Sequence, residues 1–223
     1  MTGTFETYLV TQRDLSAGRS TETIVEQALE GGVDAVQIRE KHHGAREQLA
    51  VANAVRERLQ AAGVPLIIND RIDVAAAVGA DGVHLGDDDL PVAVAREQLG
   101  ETALIGRSVS TVKAARAAEA AGADYLGVGA VYATSSKDVS EPEQAIGVDV
   151  VEAIADAVDI PLVAIGGVTA DNADEAVAAG ADGVAVITAI TQADDPAAAT
   201  RELTDAVTTG KRRRGAVSTE EPA

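Results

Sequence analysis

The chain of 223 residues carries 36 acidic against 18 basic side chains, a net charge of -18, with no cysteine and 2% aromatic residues. The absence of Cys excludes a disulfide framework, a thiolate metal centre and a cysteine nucleophile. The acidic balance argues against nucleic acid or an anionic membrane as the main partner, because a phosphate surface must be met by a basic one.

The 46% apolar content comes mainly from Ala, Val, Ile and Leu, which makes the core aliphatic. No run approaches the ~18 apolar residues of a membrane span, and "MTGTFETYLV" lacks the basic start and apolar middle of a signal peptide. A soluble, cytoplasmic protein is therefore expected. Only Lys41, Lys113, Lys137 and Lys211 represent lysine, a profile that resembles proteins of salt-loving organisms. On that expectation stability rises from low to molar KCl, as salt screens the self-repulsion.

In chain order, β-rich runs read "TYLVT" (7–11), "AVQIRE" (35–40), "PLIIND" (65–70), "GVHLG" (82–86), "LIGRSV" (104–109), "YLGVGAV" (125–131), "PLVAIGG" (161–167) and "GVAVITAI" (183–190). Between them "TETIVEQALEGG", "REQLAVANAVRERLQAAG", "VKAARAAEAAG", "VDVVEAIADAV" and "DNADEAVAAG" carry apolar residues at three- and four-residue spacing, and most finish in Gly, a helix stop. A shorter signature, "GGVDAV", "VGADGV", "AGADYL" and "AGADGV", leads into every second run. Eight apolar strands alternating with helices predict an α/β fold, a single (β/α)8 TIM barrel of parallel strands, ahead of a doubly wound open sheet. The pattern stops after Ala206. Residues 1–209 are accordingly expected to form the barrel, and 210–223, with the basic "KRRR", a mobile solvated tail rather than a nucleic-acid contact.

Barrels of this kind carry their active face at the carboxyl ends of the strands. There the second run supplies Gln37, Arg39 and Lys41, the third Asn69, Asp70 and Arg71, and the fourth His84 with Asp87, Asp88 and Asp89. Carboxylates beside cations suit a divalent metal bridging to phosphate. The plainer alternative pairs Arg39 and Lys41 with Glu40 or a helix carboxylate and leaves "GDDD" an exposed acidic loop. His84, inside a strand, reads first as a packed or hydrogen-bonded residue, and His42 and His43 as loop residues. "GVGAVYATSSK" offers glycines for close backbone approach together with Thr134, Ser135, Ser136 and Lys137. "AIGGVTADN", with Gly166, Gly167 and Asp171 as a helix cap, and "VITAI", with Thr188, describe a phosphate site after the seventh and eighth strands.

In order, "YLVT", "QIREK", "IINDR", "GVHLGDDD", "IGRSV", "GVGAVYATSSK", "AIGGV" and "GVAVITAI" make residues 7 to 190 resemble the thiamine-phosphate synthase family. The resemblance implies condensation of 4-amino-5-hydroxymethyl-2-methylpyrimidine diphosphate with 4-methyl-5-(2-phosphooxyethyl)thiazole to give thiamine phosphate and diphosphate. It implies that Gln37, Arg39, Lys41, Asn69 and Lys137 hold the pyrimidine diphosphate, that Asp70 and Asp89 carry Mg²⁺, and that Ser108 lies near the pyrimidine. Thr134, Ser136, Gly167, Ile187 and Thr188 would then receive the thiazole and its phosphate. Lys137, Arg39 and Ser108 are the residues expected to act in catalysis.

Where the family usually has Gln this chain has Asp87, and Ala130 stands for a Pro, Ser136 for a Thr and Thr188 for a Ser. Asp87 adds negative charge near the implied metal. The alternatives are a thiazole tautomerase-like barrel, another phosphate-handling barrel, and a non-catalytic binder of thiazole phosphate or thiamine phosphate. The implied partners are small molecules, without nucleic acid or membrane; a homo-oligomer is compatible with the sequence.

Overall fold

The computed structural model describes residue 3, residues 5–134 and residues 145–217. Strands β1 (Thr7–Val10), β2 (Ala35–Ile38), β3 (Leu66–Asn69), β4 (Gly82–Leu85), β5 (Leu104–Val109), β6 (Tyr125–Val128), β7 (Leu162–Ile165) and β8 (Gly183–Val186) pair in that order, all parallel, and β8 returns to β1 to close the barrel. The expected eight-stranded architecture is the one observed. Every strand but β5 ends earlier than its expected run, because the residues beyond it, such as 129–131 and 187–190, leave the ladder for loops or a short helix.

Outside the strands lie α1 (Thr21–Gly31), α2 (Ala45–Ala62), α3 (Ile72–Val78), α4 (Val92–Leu99), α5 (Val112–Ala120), α6 (Val148–Ala155), α7 (Ala173–Ala178), α8 (Thr188–Thr191) and α9 (Pro196–Val217). Their stops are local. Gly32, Gly63 and Gly79 close α1, α2 and α3 in the left-handed conformation, while Ser20 and Thr111 cap α1 and α5 from their side-chain oxygens.

Strand alternation splits the apolar residues into two cores. Val36, Ile38, Leu66, Ile68, Val83 and Leu85 face the helices in the larger one. Phe5, Tyr8, Val10, Ala35, Ile67, Leu104, Tyr125, Val163, Ala185 and Ile187 fill the barrel interior. Three of the four aromatic residues meet there, with Phe5 centred 5.2 Å from Tyr8 and 5.1 Å from Tyr125.

The repeated Asp signature is structural. Asp34 accepts from the Glu6 and Thr7 amides at 2.8 and 3.1 Å, Asp81 from Leu66 at 2.8 Å, Asp124 from Ile105 at 2.7 Å and Asp182 from Leu162 at 3.0 Å. Each Asp at the foot of an even strand thus pins the first amides of the odd strand before it, at the barrel end opposite the site. Burial raises the Asp34 pKa, and the two amides pull it back.

The structure describes residues 210–217 of the expected tail as the end of a helix. The chain continues as α9 to Val217, and its basic residues face carboxylates: Lys211 Nζ donates to Glu6 Oε1 at 2.6 Å, Arg213 pairs with Asp174, and Arg214 lies 3.8 Å from Asp182. Gly210 packs on the Asp174 backbone, where an added Cβ would come within 2.6 Å of the carbonyl oxygen. Of the expected tail, 218–223 lie outside the described residues.

Candidate active site

The strand alternation that buries Val36 and Ile38 outside the barrel turns Gln37 inward, with Arg39 continuing on the same face beyond the strand end. A cavity of about 240 Å³ opens at the carboxyl ends, lined by Gln37, Arg39, Lys41, Asn69, Asp70, His84, Asp87 and Ser108 among others. These residues come from β2, β3, β4 and β5 and the loops after them.

Asn69 and Asp70 are consecutive, so plain alternation would separate them. Asp70 instead takes φ 61°, a left-handed conformation that Asp tolerates, with its amide on the His84 carbonyl at 2.8 Å. Both side chains then line the same cavity. Arg71 does not join them. It precedes α3 and forks onto Asp73, with Nε 2.8 Å from Oδ1.

The cationic cluster is not a set of local ion pairs with Glu40. Glu40 is buried on the far side of its strand end, accepting from Thr11 Oγ1 at 3.0 Å, Thr21 Oγ1 at 2.8 Å and the Arg13 amide at 2.9 Å. The buried Arg39 donates to Gln12 Oε1, and Lys41 Nζ lies 3.8 Å from Asp70 Oδ2. Glu40 and Gln12 escaped the sequence reading, since one resembled a counter-ion and the other lay outside every motif.

Asp89 acts on Asp70 as a neighbouring like charge. Burial foremost, then the neighbouring Asp89 carboxylate, push the Asp70 pKa up to about 6; Lys41 and Arg39 pull the other way. Asp89 Oδ2 also accepts from the Gly86 amide at 2.6 Å. Among the described residues no cluster of three or more His, Cys, Asp and Glu forms. Two crowded carboxylates fit a hard dication that fills its remaining positions with water and phosphate oxygens. Asp87, the departure that threatened this arrangement, is 88% exposed at its side chain and pairs with Arg107 at 2.7 Å. Asp88 is exposed and lines neither cavity at the strand ends.

His84 is a hydrogen-bonded strand residue, with Nδ1 3.1 Å from Tyr125 Oη and Nε2 2.9 Å from Ser108 Oγ. His42 and His43 lie in the turn after β2. Tyr8 and Tyr125 were not legible as site residues, although both sit at inward strand positions.

A second cavity, of about 280 Å³, adjoins the first through Ile165, Ala185 and Ile187, which line both. Thr134, Gly166, Gly167 and Thr188 complete it with a few neighbours. Gly166 and Gly167 have φ of 95° and 65°, and a Cβ at Gly167 would sit 2.7 Å from the Ala133 carbonyl oxygen. Only glycine satisfies both demands. Asp171 does not cap α7; Asn172 precedes it, and its Oδ1 accepts from the Thr169 amide at 2.8 Å. The Gly129–Ala130 peptide is cis. Ser135, Ser136 and Lys137 lie outside the described residues.

A family model described as "Thiamine monophosphate synthase" matches residues 7–190. The chain belongs to the thiamine monophosphate synthase family. Its relatives include the thiamine-phosphate synthase of Natronomonas pharaonis, 61% identical with 93% of this chain and 97% of the relative covered, and that of Moorella thermoacetica, 49% identical with 92% and 96% covered. Among solved structures, thiamine phosphate pyrophosphorylase from Pyrococcus furiosus superposes with a TM-score of 0.84 at 39% identity, over 93% of this chain and 97% of that one. As a member of this synthase family the chain is a transferase. The expected family and barrel therefore hold, and no described helix is long and apolar enough to cross a membrane.

Proposed function

We propose that the protein condenses 4-amino-5-hydroxymethyl-2-methylpyrimidine diphosphate with 4-methyl-5-(2-phosphooxyethyl)thiazole, giving thiamine phosphate and diphosphate. The observation that supports this most directly is the pair of adjoining cavities. One is lined by Gln37, Arg39, Lys41, Asn69, Asp70 and Ser108, the other by Thr134, Gly167 and Thr188, and they share Ile165, Ala185 and Ile187. Two substrates that must meet along one new bond need such a pair.

In this reading the C–O bond of the pyrimidine methyl diphosphate breaks, with its electrons going to diphosphate. The thiazole nitrogen lone pair then forms the C–N bond to the pyrimidine-methyl cation. Atoms and charge balance without a protein nucleophile or a proton transfer. Arg39 and Lys41, with Lys137, neutralise charge gathering on the departing diphosphate, and the second cavity holds the thiazole phosphate so that its nitrogen faces the reacting carbon. Asp70 and Asp89 would hold Mg²⁺, which when bound supplies charge neutralisation to the diphosphate oxygens. Gln37, Asn69 and Ser108 position the pyrimidine; Thr134, Ser136, Gly167, Ile187 and Thr188 position the thiazole phosphate. On this reading the protein is a single-domain cytoplasmic enzyme of small-molecule substrates.

The two-cavity assignment is tested by splitting the KM values. Arg39→Ala should raise KM for the pyrimidine diphosphate or lower kcat while leaving KM for the thiazole phosphate near its original value, and Thr188→Ala should raise the thiazole phosphate KM. Equal effects of both substitutions on both substrates would contradict it.

A further inference from the structure

Five polar side chains form one relay across the barrel interior. Gln37 Nε2 donates to Tyr8 Oη at 2.9 Å, Tyr8 Oη lies 3.0 Å from Tyr125 Oη, Tyr125 Oη 3.1 Å from His84 Nδ1, and His84 Nε2 2.9 Å from Ser108 Oγ. The residues come from β2, β1, β6, β4 and β5, and both ends of the relay, Gln37 and Ser108, line the first cavity. The middle has been given room: a Cβ at Gly106 would come within 2.2 Å of Tyr125 Cζ and 2.4 Å of His84 Nδ1.

Each link takes one proton. Gln37 gives its N–H to Tyr8, so the Tyr8 O–H turns to Tyr125 and the Tyr125 O–H turns to His84. Nδ1 is then an acceptor. A protonated imidazole would bring a fourth proton to these three links and strand one hydroxyl hydrogen in the core, at the cost of an unsatisfied buried group. Neutral His84 carries its proton on Nε2 and gives it to Ser108, whose own hydroxyl proton is left for the cavity. At the other end Gln37, with Nε2 turned to Tyr8 and one of its two N–H groups given there, presents Oε1 on the other side of the amide. The opposite polarity requires all five groups to reverse together. Burial pushes the pKa of both phenols well above its ordinary value, so neither loses its proton.

We propose that Tyr8 and Tyr125 are positioning residues that hold His84 in its Nε2–H form, fixing an acceptor at Gln37 and a donor at Ser108 and so the kind of heterocycle the cavity selects. A 4-aminopyrimidine offers an amino donor and a ring-nitrogen lone pair, which match. Its 4-oxo counterpart offers a carbonyl acceptor and a ring N–H, which mismatch at both ends and leave site groups unpaired. This rests on the occupant assigned to the first cavity above, but the tautomer does not.

The test is the ¹⁵N spectrum of the histidine side chains at neutral pH, with His84 identified by removing the loop signals through His42→Gln and His43→Gln. Wild-type His84 should be the Nε2–H tautomer. In Tyr125→Phe, which keeps the ring and loses the oxygen, Nδ1–H should become populated, and the kcat/KM preference for the 4-amino over the 4-oxo pyrimidine diphosphate should fall at least ~10-fold. An Nδ1–H or doubly protonated His84 in the wild type would overturn the relay. So would Tyr125→Phe with tautomer and preference unchanged. Wild-type protein that shows Nε2–H yet turns over neither pyrimidine would uphold the relay and refute the synthase reading instead.

Discussion

Lys41 Nζ lies 3.8 Å from Asp70 Oδ2, while the like charge of Asp89 opposes ionisation of the same carboxyl group. Asp70 is held there by a left-handed backbone at the end of β3, and its pKa is raised to about 6, above the ordinary 3.8. A raised carboxyl pKa means that the folded protein binds the proton more tightly than the unfolded chain. As pH rises from the ordinary value to the raised one, the unfolded state ionises first and folding loses stability; above about 6 the full cost is present.

Asp70→Asn removes that cost. In EDTA its Tm should match the wild type near the ordinary carboxylate pKa and exceed it increasingly up to about pH 6, with the gap constant beyond. Turnover should fall by ~100-fold or more, because the charge proposed to hold the metal is gone. Parallel Tm profiles for the two proteins would show that Asp70 carries no burial and repulsion cost.

Glu40 offers a different test, because it ties the segment after β1 to the start of α1 and lines neither cavity at the strand ends. Its carboxylate takes the Thr11 and Thr21 hydroxyls and the Arg13 amide, and the Arg39 amide donates to Thr11 Oγ1 at 3.2 Å. Glu40→Ala leaves these buried donors unpaired and should cost on the order of 3 kcal/mol in urea unfolding. Arg39 should lose its fixed direction as well, so kcat should fall in the protein that remains folded. A change below ~0.5 kcal/mol would contradict the anchoring role.

The end of α9 separates two truncations. Removing 218–223 should leave both Tm and turnover unchanged. Removing 211–223 deletes the Lys211–Glu6, Arg213–Asp174 and Arg214–Asp182 contacts and should lower Tm by a few degrees while leaving kcat close to its original value. Equal Tm for all three chains would contradict a stabilising role for these contacts.

Much of this was readable from residue order because a barrel writes its plan in a simple rhythm. Eight apolar runs between helical repeats gave the topology, and the period of two in "VQIREK" put Gln37 and Arg39 on one face. What the rhythm missed was set by contacts remote in sequence. Glu40 looked like a partner for its neighbours, yet its donors lie at residues 11, 13 and 21. The α9 extension was hidden because Gly210 and Gly215, on either side of "KRRR", read as helix breaks, and its support comes from Glu6, Asp174 and Asp182. The "GAD" signature was visible as a repeat, but only the fold reveals that its Asp pins strand amides rather than a ligand. Tyr8 and Tyr125 lie 117 positions apart, and nothing local marks them as one relay.

The most direct test of the central claim is product formation. Purified protein in high-KCl buffer should be given the pyrimidine diphosphate and the thiazole phosphate, with Mg²⁺ or with EDTA, and thiamine phosphate followed by mass. The account predicts thiamine phosphate with Mg²⁺ and a loss of orders of magnitude with EDTA. Folded protein that forms no product in either condition, at low or high salt, would contradict it.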